Sequence, residues 1–350
     1  MALMTAYRLV EWGHSPEYVD VEVPKPGPGE VLVKMAAAGI CGSDLHLTSA
    51  PKGVFPIDPP FTLGHENAGW VADRGLGATR FELGSAVLAS SATSCGQCEQ
   101  CLEGWDNYCW HTVNMSTRMM SMRVRGIGND GGLAEYVVVP ERELVPLGTL
   151  APERAAPLAD AGATSYHAVR TILAALRPGS TVAVIGAGGL GSYAIQYLRL
   201  LSPAHVIAVD KLPHRLDYAR ALGAEKTFLS NEQTAADILA AYEGMHAVID
   251  FCGSEETLTL ANTIVRPRGH IVVPGITFST VPFGWGTSAA GCQMNLSLGF
   301  TLQDLNEVVR LAREDRIRID TEAFSFQHID AAFNALREGR LKGRAVISIS

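Results

Sequence analysis

The chain has 350 residues, 47% of them hydrophobic and 18% charged, with 35 glycines and 18 prolines. That balance supports packed cores in about two domains of roughly 100–200 residues and argues against extensive disorder. The 28 basic and 36 acidic residues leave a net charge of −8. A general nucleic-acid or membrane-surface binder would be basic, so both classes are set aside.

Taken in chain order, the first apolar stretch is broken by Arg8, Glu11 and His14. No later run approaches the ~18 apolar residues of a membrane span, so neither a span nor a secretory signal is expected, and the reading is a soluble, cytoplasmic protein. Tyr18–Val23 and Val31–Ala37 alternate or carry β-branched residues, and the Pro- and Gly-rich run from Pro24 to Gly29 punctuates them as a turn. Ala68–Ala72, Ser85–Ser90 and Ala134–Val139 read as further strands. The first 150 or so residues therefore predict a small antiparallel barrel or sandwich.

After Pro152 the texture changes. Ala155–Leu176 is Ala-rich and helical, followed by a strand at Thr181–Ile185, a glycine-rich turn and a helix at Leu190–Leu201. His205–Asp210 predicts a strand, Arg215–Leu222 a helix, and Ala247–Phe251 and His270–Val273 two more strands. Strands and helices alternating at this spacing predict an α/β fold with a doubly wound parallel sheet. Leu302–Ala312 is an amphipathic helix and Ala345–Ile349 a last strand. The expected division is 1–155, 156–299 as the nucleotide-binding part, and 300–350 returning to the first.

The run Gly186-Ala187-Gly188-Gly189-Leu190-Gly191 fits G-x-G-x-x-G, with Asp210 at the end of the next strand. Alone the pattern is weak; between a strand and a helix, with an acid about 20 residues on, it predicts a dinucleotide site. Gly186 allows the tight turn, Gly188 lets the backbone approach a pyrophosphate, and Gly191 lets helix and strand pack. The helix N-terminus offers free N–H groups and partial positive charge to the phosphates. A carboxylate at Asp210 accepts from ribose hydroxyls and repels a 2′-phosphate, which favours NAD over NADP. Lys211 and Arg215 share that loop. They read first as solvated charges, with Arg215 also a candidate cofactor contact.

Seven cysteines are an odd number for a disulfide framework, and their distribution says more than their count. Cys95, Cys98, Cys101 and Cys109 crowd one loop, while Cys41, Cys252 and Cys292 stand apart. In a reducing cytosol a tight cluster reads as a metal site. Four thiolates close a tetrahedral Zn²⁺ site with no open position, which is structural, and an iron–sulfur cluster is the competing reading.

A second set is scattered: Cys41, Ser43, Asp44 and His46 in one run, His65 and Glu66 in another, and Asp160 far along the chain. Taken singly, Cys41 is more often a buried apolar residue and Asp160 more often a helix cap. Spacing does not join them.

Resemblance does. Gly-Ile-Cys41-Gly-Ser-Asp, Gly64-His65-Glu66-x₂-Gly69, the four-cysteine loop, Asp160 with Thr164, and the Gly186 run ending in Asp210 resemble the zinc-dependent alcohol dehydrogenases of the medium-chain dehydrogenase/reductase family over essentially the whole chain. The nearest look is to bacterial NAD-dependent secondary-alcohol dehydrogenases. The resemblance implies a GroES-like catalytic domain beside a Rossmann domain, and two Zn²⁺ per subunit. Cys41, His65 and Asp160 would bind the catalytic ion, where many relatives have a second cysteine at the third position. As a harder ligand, an aspartate would hold zinc less tightly than a thiolate. Glu66 would stand behind the ligands or serve as an alternative one, and Asp44 would orient His65. Ser43 and His46 would relay the alcohol proton to solvent. Thr164 would lie beside the nicotinamide and Arg344 near the pyrophosphate. Gly42 replaces a basic residue found in relatives.

The family's pocket walls map onto Phe55, Trp110, Met115, Met119, Trp285, Met294, Leu296 and Leu298, a mostly apolar set that could equally be core. It favours secondary or aromatic alcohols over polyols. A diol or polyol dehydrogenase is the alternative, and a catalytically idle nucleotide-binding protein a third reading. The segment around Val272–Leu298 could extend the sheet into a second copy, so a homodimer or homotetramer is expected.

Overall fold

The computed structural model describes residues 2–114, 119–120 and 124–349. It divides into two compact units, 1–163 with 300–350 and 164–299. The chain crosses between them at 163/164 and at 299/300. The turn Ala156–Ala159 belongs to the first unit, where it packs against the strands Glu66–Arg74 and Glu30–Ile40.

The first unit is built on a mixed seven-stranded sheet in the order Leu144–Pro146, Ala86–Ala89, Glu66–Arg74, Glu30–Ile40, Arg344–Ser348, Thr321–Ser325, with Tyr136–Pro140 also on Glu30–Ile40. The strand Glu30–Ile40 organises it. Its first half pairs with Tyr136–Pro140 and its last residues with Arg344–Ser348, while Glu66–Arg74 runs antiparallel along the other edge. Nine of its eleven residues are buried, which explains the near-continuous Val-Leu-Val and Ala-Ala-Ala run. Val31, Val33, Met35, Val87 and Val139 fill one core, and Ile40, Phe61, Leu63, Ile329 and Phe333 another.

The second unit is a six-stranded parallel sheet in the order Lys226–Leu229, His205–Asp210, Thr181–Ile185, Met245–Asp250, Val265–Val273, Gln293–Leu296. All five residues of Thr181–Ile185 are buried, as a central strand covered on both faces requires. The strand order reverses at this strand, since the chain adds first to one side and then to the other. The crevice beyond its carboxyl end is where such sheets take ligands.

The stretch expected to be helical over Ala155–Leu176 consists of the end of the helix Pro152–Ala155, the tight turn Ala156–Ala159, the helix Ala161–Arg170 and the turn Leu173–Ala175. The break centres on Asp160, whose φ of −141° and ψ of −69° lie outside helical geometry. Alanine content gave the helix propensity; Pro157 in the turn and the packing of 156–159 on the sheet overrode it.

Candidate active site

Strand register assembles the scattered residues. Gly39 pairs with Glu66 and Ile40 with Ala345, both antiparallel. The end of one strand, leading into Cys41, therefore meets the starts of two others, which carry His65-Glu66 and Arg344. Asp160 is delivered by the turn Ala156–Ala159. Cys41 Sγ lies 3.7 Å and His65 Nε2 3.6 Å from Asp160 Oδ2, and one donor atom from each residue lies within 4.8 Å of the others. Bonds of about 2.0–2.3 Å to a tetrahedral ion place donors roughly 3.3–3.8 Å apart, so the three fit a single Zn²⁺.

Asp44, fully buried, ties two of these ligands together. Its Oδ2 accepts from the Cys41 N–H at 2.8 Å, and its Oδ1 lies 3.2 Å from His65 Nδ1. With Nδ1 toward Asp44, Nε2 faces the other donors, as the expected orienting role requires. Burial alone would lower the His65 pKa, but the Asp44 and Asp160 carboxylates hold it well above the usual value. The same pull acts on a metal cation. Ser43 and His46 are exposed on the helix Gly42–Ser49, three residues apart and so on one face, with Ser43 Oγ 3.7 Å from Cys41 Sγ.

Glu66 and Arg344 form a buried ion pair. Burial pushes the Glu66 carboxyl up to about 7 against the pull of the Arg344 guanidinium. Glu66 also accepts from the Ala161 N–H at 3.3 Å, one residue beyond Asp160. Arg344, expected near the pyrophosphate, is engaged here by Glu66, and Glu66, expected behind the ligands or as an alternative one, directs its carboxylate to Arg344. Sequence reasoning missed the signal at Gly39. A Cβ there would come within 1.8 Å of Glu66 Oε2, so only glycine lets this carboxylate lie over the strand.

The four thiols converge as their spacing implied. Cys98 Sγ lies 3.5 Å from Cys101 Sγ and 3.9 Å from Cys109 Sγ, and Cys95 Sγ lies 3.9 Å from Cys101 Sγ. All four sulfurs lie within 4.8 Å of one another. Bonds of about 2.3 Å to one tetrahedral ion put sulfurs roughly 3.8 Å apart, so the donor set fits a single closed Zn²⁺ site. Backbone N–H groups favour the anionic sulfurs: that of Cys101 leads in bringing Cys98 down to about 6, and that of Gln97 in lowering Cys95. Burial pushes Cys101 up to about 12. The loop start is pinned by Glu143 Oε1, which accepts from the Ser94 N–H at 3.4 Å while its Oε2 pairs with buried Arg125 at 2.8 Å.

In the second unit, Gly186 takes φ +84° at the end of its strand, and a Cβ on Gly191 would come within 1.9 Å of the Gly186 carbonyl oxygen. Gly188, Gly189 and Leu190 carry the chain into the helix Gly191–Leu201. Asp210, 6% exposed, is woven into this loop: Oδ2 accepts from the Ala187 N–H and Oδ1 from the Leu212 N–H, each at 2.9 Å. Lys211 is exposed, and Arg215 is half-buried. Its guanidinium lies 3.9 Å from Asp210 Oδ2 and alongside Gly188. Thr164 is buried in the helix Ala161–Arg170.

The expected pocket residues separate. Phe55 is half-buried and stacks on Trp12 at 6.5 Å between ring centres. Met294 packs on the core of the second unit and Leu298 is half-buried. Trp110, Trp285 and Leu296 are exposed. Met115, and the side chain of Met119, lie outside the described residues.

Residues 27–149 match the alcohol dehydrogenase GroES-like domain, and residues 189–313 the zinc-binding dehydrogenase domain. An NAD-dependent alcohol dehydrogenase of Sulfolobus acidocaldarius is 32% identical, over 99% of this chain and 100% of that protein. The solved alcohol dehydrogenase of Aeropyrum pernix superposes with a TM-score of 0.89 at 29% identity, covering 99% of this chain and 100% of that one. Acetophenone reductase of Geotrichum candidum, solved with NAD, gives a TM-score of 0.85 at 28% identity, covering 99% and 97%.

Proposed function

The chain belongs to the zinc-binding alcohol dehydrogenase family, and from that premise we propose that it interconverts secondary or aromatic alcohols with their ketones or aldehydes, using NAD. The observation that carries this reading is the trio Cys41, His65 and Asp160, with donors within 4.8 Å of one another. Three protein donors rather than four is the count that leaves room for a substrate. When bound, Zn²⁺ supplies the Lewis acidity that lowers the alcohol O–H pKa, and NAD⁺ supplies the hydride acceptor.

The rest falls to the chain's own residues. Asp44 holds His65 and the Cys41 backbone in place. The Ser43 hydroxyl accepts the alcohol proton as it releases its own onward, and His46, on the same helix face, exchanges a proton with solvent. The buried Glu66–Arg344 pair keeps a second carboxylate behind the ligands and fixes the backbone just after Asp160 through Ala161. Thr164, the glycine loop and Asp210 receive the dinucleotide. The Asp210 charge, fixed by two backbone N–H groups, disfavours a 2′-phosphate, with Arg215 beside it as the competing influence.

NADH formation from a panel of primary, secondary and benzylic alcohols and vicinal diols tests the substrate class. Secondary or benzylic turnover well above the diols is expected; preference for diols would move the assignment to a polyol dehydrogenase. We further infer a homodimer or homotetramer. The strand Gln293–Leu296 is an edge of its sheet, with Leu296 exposed on it and Phe278 and Trp285 exposed in the segment before it. A monomer by light scattering would contradict this. No helix among the described residues is long and apolar enough to cross a membrane. A cluster of metal-binding thiols suits a reducing compartment, and we place the protein in the cytoplasm.

A further inference from the structure

We propose that Asp106, in the four-cysteine lobe, is a positioning residue for Asp160, the third donor of the active site, and that it acts through the helix Leu302–Arg313. The inference rests on the reading of both clusters as metal sites.

The link begins inside the lobe. Asp106 opens the tight turn Asp106–Tyr108, and the N–H of the next residue, Cys109, donates to the Asp106 carbonyl at 3.2 Å. Whatever fixes Cys109 fixes Asp106. The Asp106 carboxylate then reaches out of the lobe, and both its oxygens accept from the Leu302 N–H, at 3.2 and 3.1 Å. Leu302 is the first residue of its helix, where an N–H has no partner inside the helix. The local cap is already spent elsewhere: Thr301 Oγ1 accepts from the Asp304 N–H at 3.1 Å, and Asp304 Oδ2 accepts from the Thr301 N–H at 2.9 Å. Asp106 supplies what that capping box leaves open and places a negative charge at the positive end of the helix.

The helix carries the link onward. It packs against the turn Ala156–Ala159, which leads directly into Asp160. The fit leaves no slack. At Gly162, two residues past the ligand, a Cβ would lie 3.3 Å from Val308 Cγ1 on the helix and 3.0 Å from Leu158 Cδ2 in the turn. Asp160 sits between these contacts with non-helical backbone angles, outside both neighbouring helical segments. A shift of the helix start moves Val308 and, with it, the segment that aims the Asp160 carboxylate. The lobe thus does more than close its own loop. A cation there holds Cys109, the Cys109 turn holds Asp106, and Asp106 holds the helix against the ligand-bearing segment.

The test uses the full chain, exchanged against Co²⁺ until one zinc per chain remains in the lobe. Visible absorption of the bound cobalt and its release to a chelator are compared in wild type, Asp106→Ala, Asp106→Asn and Val308→Ala. Asp106→Ala is expected to shift the cobalt bands and speed release about tenfold, the scale on which such outer partners act. Asp106→Asn keeps an acceptor oxygen and should recover most of that loss. Val308→Ala reaches the same segment by packing alone and should move release in the same direction, which keeps the test decisive if Asp106→Ala folds poorly. Ile249→Val, a core change in the second unit, should leave the cobalt signature as in wild type. Wild-type bands and release in a folded Asp106→Ala would overturn the positioning role alone, and so would wild-type bands and release in Val308→Ala, since the link runs through that contact. A wild-type chain that holds only one metal ion would overturn the two-metal reading and this inference with it.

Discussion

All four thiols of the lobe come from the single stretch Cys95–Cys109, whereas the active-site donors stand at positions 41, 65 and 160. The lobe can gather its sulfurs by local turns, whose N–H groups already point at Cys95 and Cys98. The active site exists only when Glu30–Ile40 is in register with Glu66–Arg74 and the turn Ala156–Ala159 is packed on them. One site is a property of a peptide; the other is a property of a folded sheet. Locally coded donors suit a closed ion that stabilises, and donors brought from afar suit an ion that must keep one side open.

This contrast can be broken at either site. The largest effect is expected at the assembled site. Asp160→Ala should lower kcat/KM by at least about a thousandfold, the scale of several kcal/mol of Lewis-acid stabilisation, with the melting temperature little changed. Ser43→Ala should cost about a hundredfold or more in kcat with metal content intact; near-normal turnover would show that the proton leaves by another route. In the lobe the balance should reverse. Cys98→Ala should destabilise by several kcal/mol, roughly 10 °C in thermal melts, with a smaller loss of turnover in the protein that remains folded. If Cys98→Ala abolished activity at unchanged stability, the division between the two sites would be wrong. Asp210→Asn removes the charge but keeps acceptor oxygens, and should reduce the preference for NAD over NADP about tenfold in steady-state kinetics. The smallest change is expected from His46→Gln, a few-fold loss confined to the acidic side of the pH profile. An unchanged profile would remove His46 from the relay.

The same contrast explains what could be read from the chain. The lobe and the glycine loop were legible because each is written within one turn or one strand–turn–helix unit. The doubly wound sheet followed from strands such as Thr181–Ile185 alternating with helices. The active-site trio was joined only by resemblance, since no periodicity relates Cys41 to Asp160. Two features lay beyond reach because tertiary contact sets them. Arg344 pairs with Glu66 because Arg344–Ser348 lies beside Glu30–Ile40, a pairing across most of the chain. The stretch expected to be helical over Ala155–Leu176 breaks at Asp160 because the preceding turn packs on the sheet. Gly39 offered a local clue, since a glycine inside an otherwise buried strand marks a close approach.

The most direct test of the account pairs metal counting with NADH formation in wild type and Cys41→Ala. Two zinc ions and active turnover of a secondary or benzylic alcohol in wild type are predicted, against one zinc and no measurable turnover in Cys41→Ala. Wild-type turnover by Cys41→Ala, or by a chain carrying zinc in the lobe alone, would contradict it.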